Sequence, residues 1–273
     1  PHSATRLYFA AQRVFRSDDR GDHWRPVSPD LTRQLDRNRL PVFGKVQRAD
    51  ALGKHDWTSP YGTLVALAES PLAEGLLYAG SDDGLVQVSE DGGASWHRTE
   101  SFPGLPERAY VRKLEPSAHD ADTVYAAFDN HKTGDFKPYL FVSRDRGRSW
   151  SSIAADLPGQ STVYVVVEDP IDPDLLFVGT ERGLWASQDR GASWFRLAGG
   201  LPTVQVRDLA IQARENDLVL GTFGRGFWVL DDLSPLRFAA RRSLDAEATI
   251  FPVRPALGYV PRMRLGVRGK GFQ

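Results

Sequence analysis

Four short segments lying between apolar runs hold most of the residues in this sequence that could do chemistry. They are Asp82 and Asp83; His131, Lys132, Asp135, Lys137 and Tyr139; Glu181 and Arg182; and Phe223 and Arg225. Each lies where one strand-like run ends and the next begins, close to glycine, so each is expected as a hairpin tip. Two carboxyl groups about 5 to 9 Å apart across a sugar can share glycosidic cleavage, one as acid and the other as base or nucleophile. Asp82, Asp83, Asp135 and Glu181 are therefore the candidate catalytic residues. His131, Lys132, Lys137, Tyr139, Arg182, Arg207, Phe223 and Arg225 are the candidate ligand-binding residues. Charged hairpin tips also occur with no chemistry attached, solvated or paired with Lys and Arg of neighbouring units. The reading therefore depends on whether the fold carries the four tips to one place.

A repeat supplies that fold. The pattern Ser-x-Asp-x-Gly-x-x-Trp occurs at Ser17–Trp24, Ser89–Trp96, Ser143–Trp150 and Ser187–Trp194. Ser and Asp side chains in such a turn bond backbone N–H groups, and Gly supplies a positive φ. The indole at a fixed offset then buries its area beneath the hairpin. An apolar strand precedes each turn, and a Leu-Pro pair follows three of them, at Leu105-Pro106, Leu157-Pro158 and Leu201-Pro202.

Around these markers the chain divides into units of four strands. First strands are expected at Val111–Leu114, Val163–Val167 and Val206–Ile211. Second strands fall near Leu76–Ala79, Val124–Ala127, Leu175–Val178 and Leu218–Leu220, and third strands at Leu85–Val88, Leu140–Val142, Leu184–Ala186 and Phe227–Leu230. The fourth begins at each Trp. The expected fold class is all-β: a propeller of four-stranded antiparallel blades, about four to five in number. The first unit begins at its second strand, Leu7–Ala10, and the last reaches Asp231-Asp232 with its outer strand unassigned except for a candidate at 249–253. An unclosed ring exposes an apolar face and an unpaired edge, so the chain is expected to be part of a larger propeller. The propeller portion is expected over residues 1–253 with a long polar insertion at 31–59, followed by a loose tail at 254–273. No long helical periodicity is evident.

Composition narrows the function classes. Lys+Arg 34 against Asp+Glu 35 leaves no broad basic field, so nucleic acid is not an expected partner. Cys is absent, which removes thiolate chemistry and Cys-ligated metals. The apolar runs are strand-sized, so no membrane span is expected, and Pro1–Thr5 does not resemble a signal peptide. No phosphate loop, His-Glu-x-x-His or Gly-x-Ser-x-Gly pattern occurs. The six His are scattered without ligand spacing. No metal or cofactor is expected.

The four turns resemble the Asp-box, or BNR repeat, of sialidases, xyloglucanase-type glycoside hydrolases and sortilin-type propellers. More narrowly, LYAGSDDG at 77–84, DNHKTGDFKPY at 129–139, LFVGTERG at 176–183 and GTFGRGFWVLDD at 221–232 resemble large bacterial exported proteins of the sortilin-like and glycosyl-hydrolase-like BNR kind. That resemblance extends to about residue 253 and implies export, further blades of the same longer protein as partners, and a peptide, protein or glycan ligand. The alternative it implies is a glycoside hydrolase, sialidase- or xyloglucanase-like, using carboxylates on the mouth loops. Sialidases require an arginine cluster, a Tyr nucleophile and acidic partners. Arg112, Arg207 and Arg225 are the arginines available, and the Arg-Ile-Pro setting of the usual first arginine is missing. In a propeller the loops joining second to third strands share one face with the channel mouth, and the Asp-box turns lie away from it. The Ser, Asp, Gly and Trp of the repeat are accordingly read as scaffold, with Phe136, Trp57 and Tyr61 as further aromatics for an apolar floor.

Overall fold

The computed structural model describes residues 2–42, 44–54, 61–241, 248, 250, 251 and 258. Two compact units divide at Leu233/Ser234. The regular secondary structure of the first is almost entirely antiparallel sheet. Its first sheet has three strands, β1 (Leu7–Ala10), β2 (Val14–Ser17) and β3 (Arg25–Pro26). A small hairpin, β4 (Pro41–Val42) and β5 (Lys45–Val46), lies in the long insertion.

Three four-stranded sheets follow. The second contains β6 (Leu64–Glu69), β7 (Leu77–Ser81), β8 (Val86–Ser89) and β9 (His97–Thr99). The third contains β10 (Tyr110–Pro116), β11 (Val124–Asp129), β12 (Tyr139–Ser143) and β13 (Ser151–Ser152). The fourth contains β14 (Val163–Glu168), β15 (Leu176–Thr180), β16 (Gly183–Ser187) and β17 (Phe195–Arg196). A last three-stranded sheet holds β18 (Val206–Gln212), β19 (Asp217–Thr222) and β20 (Phe227–Leu230). Within every sheet neighbours in sequence are neighbours in space.

The sheets stack face to face in chain order because their central strands are apolar on both sides. Strand β11 shows how. Val124, Ala126 and Phe128 join Tyr78, Val86 and Val88 of the second sheet in one core, while Tyr125 and Ala127 join Val163, Leu176 and Val178 of the fourth in another. Period-two alternation thus sends successive residues of one strand into two different inter-sheet layers.

The four Ser-x-Asp-x-Gly-x-x-Trp turns each join the next-to-last strand of a sheet to its short last strand and share one bonding scheme. In the turn after β16, Ser187 Oγ donates to Asp189 Oδ1 at 2.7 Å and accepts from Gly191 N at 2.8 Å, and Asp189 Oδ1 accepts from Ser193 N at 2.8 Å. The same three contacts recur at Ser17, Ser89 and Ser143. Hydrogen bonds from Ser95 hold the Asp91 carboxyl down at about 2. Burial opposes ionisation of Asp145, but bonds from Ser149 and Ser143 outweigh it and leave that carboxyl at about 2 as well. The indoles of Trp96, Trp150 and Trp194 each pack between their own sheet and the preceding one. Trp194 Nε1 donates to Ile153 O at 2.7 Å, and Trp96 Nε1 to Gly93 O at 3.0 Å. Trp24 belongs to the first sheet, which no other sheet precedes among the described residues. It is 44% exposed and meets Phe9 ring to ring at 6.3 Å.

Beyond β20 the chain departs from the strand expectation. Leu233 N bonds Asn216 O at 2.7 Å and Leu233 is fully buried, ending the first unit. The second unit opens with a helix, α1 (Ser234–Arg241), that hydrophobic periodicity did not announce. Pro235 sits in its first turn, where a missing N–H costs nothing. Ile250 and Phe251 lie in no strand, and the rest of the candidate outer strand at 249–253, together with Trp57 and the boundary at 253, lies outside the described residues. No helix among the described residues is long and apolar enough to cross a membrane.

Candidate functional site

One local irregularity recurs at the same register in each first strand. Pairing shifts between Leu64 and Ala66, Val111 and Lys113, Val163 and Val165, and Val206 and Asp208. The bulged residues are thus Val65, Arg112, Tyr164 and Arg207. A bulge re-aims the side chain it carries, and here three of the four are a polar aromatic or a guanidinium. Glycine lets the next bulge approach. A Cβ on Gly80 would fall 2.3 Å from Val111 Cγ1, and one on Gly179 would fall 2.7 Å from Val206 O. Val111 and Val206 immediately precede the bulged Arg112 and Arg207.

The re-aimed side chains form an alternating array of cations and rings. Lys132 Nζ lies 5.4 Å from the Tyr110 ring, Arg112 Cζ lies 5.9 Å from Tyr110 and 5.4 Å from Tyr164, and Arg207 Cζ lies 3.9 Å from Tyr164 and 5.5 Å from Phe223. Residues from three sheets, including two of the four hairpin tips, are brought together by these contacts. Cations over ring faces are attracted by the aromatic quadrupole.

Glu181 closes a cycle beside this array. Its carboxylate accepts from the Tyr164 hydroxyl and from Gln205 Nε2. Gln205 Oε1 in turn accepts from Arg207 Nε at 2.9 Å and Nη2 at 2.6 Å, and Arg207 covers the Tyr164 ring. Burial, followed by the bond to Glu181, pushes the Tyr164 hydroxyl far above its ordinary range. The hydroxyl is thus held protonated, as a donor to a carboxylate.

The other carboxylates have different environments. Asp82 is half-buried, and desolvation raises its pKa against the lowering effect of the Thr63 and Gly62 N–H groups, which reach Oδ1 at 2.8 and 3.0 Å. Asp83 is fully buried. Its Oδ1 accepts from Ser81 Oγ at 2.5 Å and its Oδ2 from Arg33 N at 2.8 Å, while Arg33 Nε bonds Asp83 O. These two adjacent acids therefore grip the two roots of the insertion, one at Arg33 and the other at Gly62 and Thr63. Asp135 Oδ2 accepts from Tyr139 OH at 2.7 Å and Asn130 Nδ2 at 3.2 Å. Burial acts to raise its pKa, but those bonds prevail and lower it. Tyr139 is pushed up to about 12, by burial first and by Asp135 second.

His131 Nδ1 lies 2.6 Å from Asp129 Oδ1, a buried carboxylate at the end of β11. Lys137, Arg182, Phe223 and Arg225 are exposed at their tips, and Phe223 N bonds Gln205 O at 3.0 Å. The charges of Asp82 and Asp129 act on Tyr110, and those of Glu181 and Asp129 on Tyr164. The second, third and fourth sheets therefore share one electrostatic neighbourhood. Tyr110, Tyr164, Gln205 and Asp129 were not among the candidate residues. Tyr164 and Arg207 each stand second in a Val-x-Val or Val-x-Asp stretch, yet nothing in that alternation distinguishes a bulge from a regular strand. Among the described residues there is no group of three or more His, Cys, Asp or Glu that could hold a metal ion.

No protein-family model and no curated protein sequence matches the chain. Solved structures do. The GH74 xyloglucanase from Xanthomonas campestris superimposes with a TM-score of 0.60 at 22% identity over 85% of this chain and 36% of that one. An ancestral GH74 enzyme gives 0.56 at 19% identity over 81% and 26%. The extracellular domain of a one-component system from B. thetaiotaomicron gives 0.51 at 14% identity over 84% and 25%. These neighbours are β-propeller folds, and the likeness establishes a fold of that type for the stacked sheets. The chain spans between a quarter and about a third of their lengths.

Proposed function

We propose that the chain is the binding portion of a larger, exported Asp-box propeller, and that it holds a peptide, protein or glycan at the mouth formed by the bulged first-strand residues and the hairpin tips. The observation that carries this reading is the array Lys132–Tyr110–Arg112–Tyr164–Arg207–Phe223, which three sheets assemble in register. Structural work alone does not call for arginines at the bulges, because the inter-sheet cores are already closed by apolar residues. Further blades of the same longer protein are the natural partners of the two three-stranded sheets. Leu7 and Phe9 on β1, and Phe227 and Val229 on β20, expose apolar surface of the kind that neighbouring sheets cover elsewhere in the unit. Export is supported by the extracellular domain among the neighbours.

A second reading, glycoside hydrolysis, is favoured by one contact. The Tyr164 hydroxyl bonded to Glu181 is an oriented nucleophile–carboxylate pair, with Asp82 a half-buried carboxyl whose raised pKa suits an acid. The two readings separate in one assay of reducing-end release from xyloglucan and from a sialylated oligosaccharide. On the binding reading neither substrate is turned over. Release that disappears in the Asp82→Asn, Glu181→Gln double variant, with its circular dichroism unchanged, would establish hydrolysis instead.

A further inference from the structure

We propose that the groove between the first and second sheets, beside the Ser-Asp-Gly-Trp turn that follows β8, is a separate binding site for a tetrahedral oxyanion, the phosphate or sulfate group of an ester. The proposal starts from a place where the repeat departs from its own pattern. The residue immediately before the turn serine is Val88, Val142 and Ala186 in the second, third and fourth sheets, and each is at most 2% exposed. These side chains pack toward the next sheet. A Cβ on Gly147, in the following turn, would lie 2.9 Å from Val88 Cγ2. In the first sheet the same position is Arg16.

Arg16 also points toward the next sheet. Val14, two residues earlier on β2, enters the core shared with Leu64 and Ala79 of the second sheet, and period-two alternation sends Arg16 the same way. A Cβ on Gly92 would lie 3.9 Å from Arg16 Nη1. Directly opposite Arg16 on β3 stands Arg25, where the other sheets have His97, Ser151 and Phe195. Like charges placed opposite one another on a strand pair are destabilising. A repeat that gives up a buried apolar residue for such a pair breaks its own rule as functional sites do.

The consequence is a groove of about 530 Å³, with Arg13, Arg16 and Arg25 on one side and Asp91, Gly92 and Gly93 on the other. Three guanidinium groups meet little negative charge there. Asp18 is shared: Arg16 reaches it at 2.7 Å and Arg25 at 3.6 Å, and Arg6 takes it at 3.0 Å as well. Asp91 is committed to Ser89 and Ser95 within its own turn. Arg16 binds Asp18 through Nε and Nη2, so its plane is fixed while Nη1 faces the turn across the groove, which lowers the ordering cost of binding. Guanidinium groups arriving from three positions can meet three oxygens of a phosphate or sulfate, whereas a carboxylate offers two.

The test is calorimetric titration of the chain with sodium sulfate and with sodium phosphate, using sodium acetate as comparator. Sulfate and phosphate should bind at least about tenfold more tightly than acetate, and the tighter of the two identifies the kind of ester. Arg13→Gln and Arg25→Gln should each weaken binding about tenfold, while Arg190→Gln, which alters an arginine paired with Asp174, should leave it unchanged. Arg16→Val restores the residue type of the other sheets, so it should weaken binding at least about tenfold without lowering the thermal midpoint. A lowered midpoint in Arg16→Val, with anion affinity unchanged in Arg13→Gln and Arg25→Gln, would make Arg16 a structural partner of Asp18 and overturn the site. Acetate binding as tightly as sulfate and phosphate would overturn the tetrahedral assignment. Loss of binding in Arg207→Gln with none in the three groove variants would move the anion to the mouth and overturn the groove. Absence of saturable binding would overturn the proposal and leave the mouth reading, which shares no residue with this groove, untouched.

Discussion

Replacing Trp194 with Ala should destabilise the first unit by about 4 kcal/mol, lowering its thermal midpoint by roughly 10 °C. The indole is 7% exposed and belongs to the core shared by the third and fourth sheets, beside Ile153, Ala154 and Leu157. Its removal leaves a cavity that rigid strands on both sides cannot collapse, and it leaves Ile153 O without the 2.7 Å bond from the ring nitrogen. Trp24→Ala provides the internal comparison. The same turn in the first sheet presents a ring that is 44% exposed, so its loss should cost less than about 1.5 kcal/mol. Thermal and denaturant unfolding of the two variants side by side checks this. Equal losses would mean that the indoles act within their own turns and do not hold sheet to sheet.

Gly179→Ala should cost about 3 kcal/mol and should also impair the mouth. The added methyl would sit 2.6 Å from Val165 Cγ1, 2.7 Å from Val206 O and 2.8 Å from Val206 Cγ1. A backbone oxygen cannot swing away as the end of a flexible side chain can, so β18 must retreat from β15. Retreat moves Arg207, the next residue after Val206, off the Tyr164 ring that it covers at 3.9 Å and strains its bonds to Gln205. Gly159→Ala is the control. No heavy atom lies within 4 Å of a Cβ built there, and the change should fall within about 0.5 kcal/mol of the parent. Unfolding curves, together with the fluorescence of any bound ligand, separate the two effects of the Gly179 change.

The scaffold was legible because it repeats. Ser, Asp, Gly and Trp recur at fixed offsets in four copies, so the order of strands within each sheet followed from the turns between them. The hairpin tips were legible for the same reason, since each lies between two runs whose alternation fixes its place. What could not be read was the register error within each first strand. A bulge adds one residue without changing residue type, and Val163-Tyr164-Val165 has the same alternation whether Tyr164 follows its neighbours or turns toward the mouth. Tyr110, Tyr164 and Gln205 were therefore missed, and Arg112 was considered only for its charge. The adjacent acids Asp82 and Asp83 invite a catalytic reading in sequence, while in the fold Asp83 is fully buried and bonded to Ser81 and Arg33. Only tertiary structure reveals that role, because Arg33 lies far away along the chain. The helix at Ser234–Arg241 escaped notice because it is two turns long, too short for a periodic signal.

The central claim is that binding occurs where the bulged residues and hairpin tips meet. Amide hydrogen–deuterium exchange tests it most directly, with the chain measured alone and with a saturating mixture of xyloglucan and sialylated oligosaccharides. The account predicts new protection confined to residues 81–84, 131–137, 180–183 and 222–226 and to the bulged first strands, with the four Ser-Asp-Gly-Trp turns unchanged. Protection concentrated on those turns, or none at the hairpin tips while the mixture is bound, would contradict it.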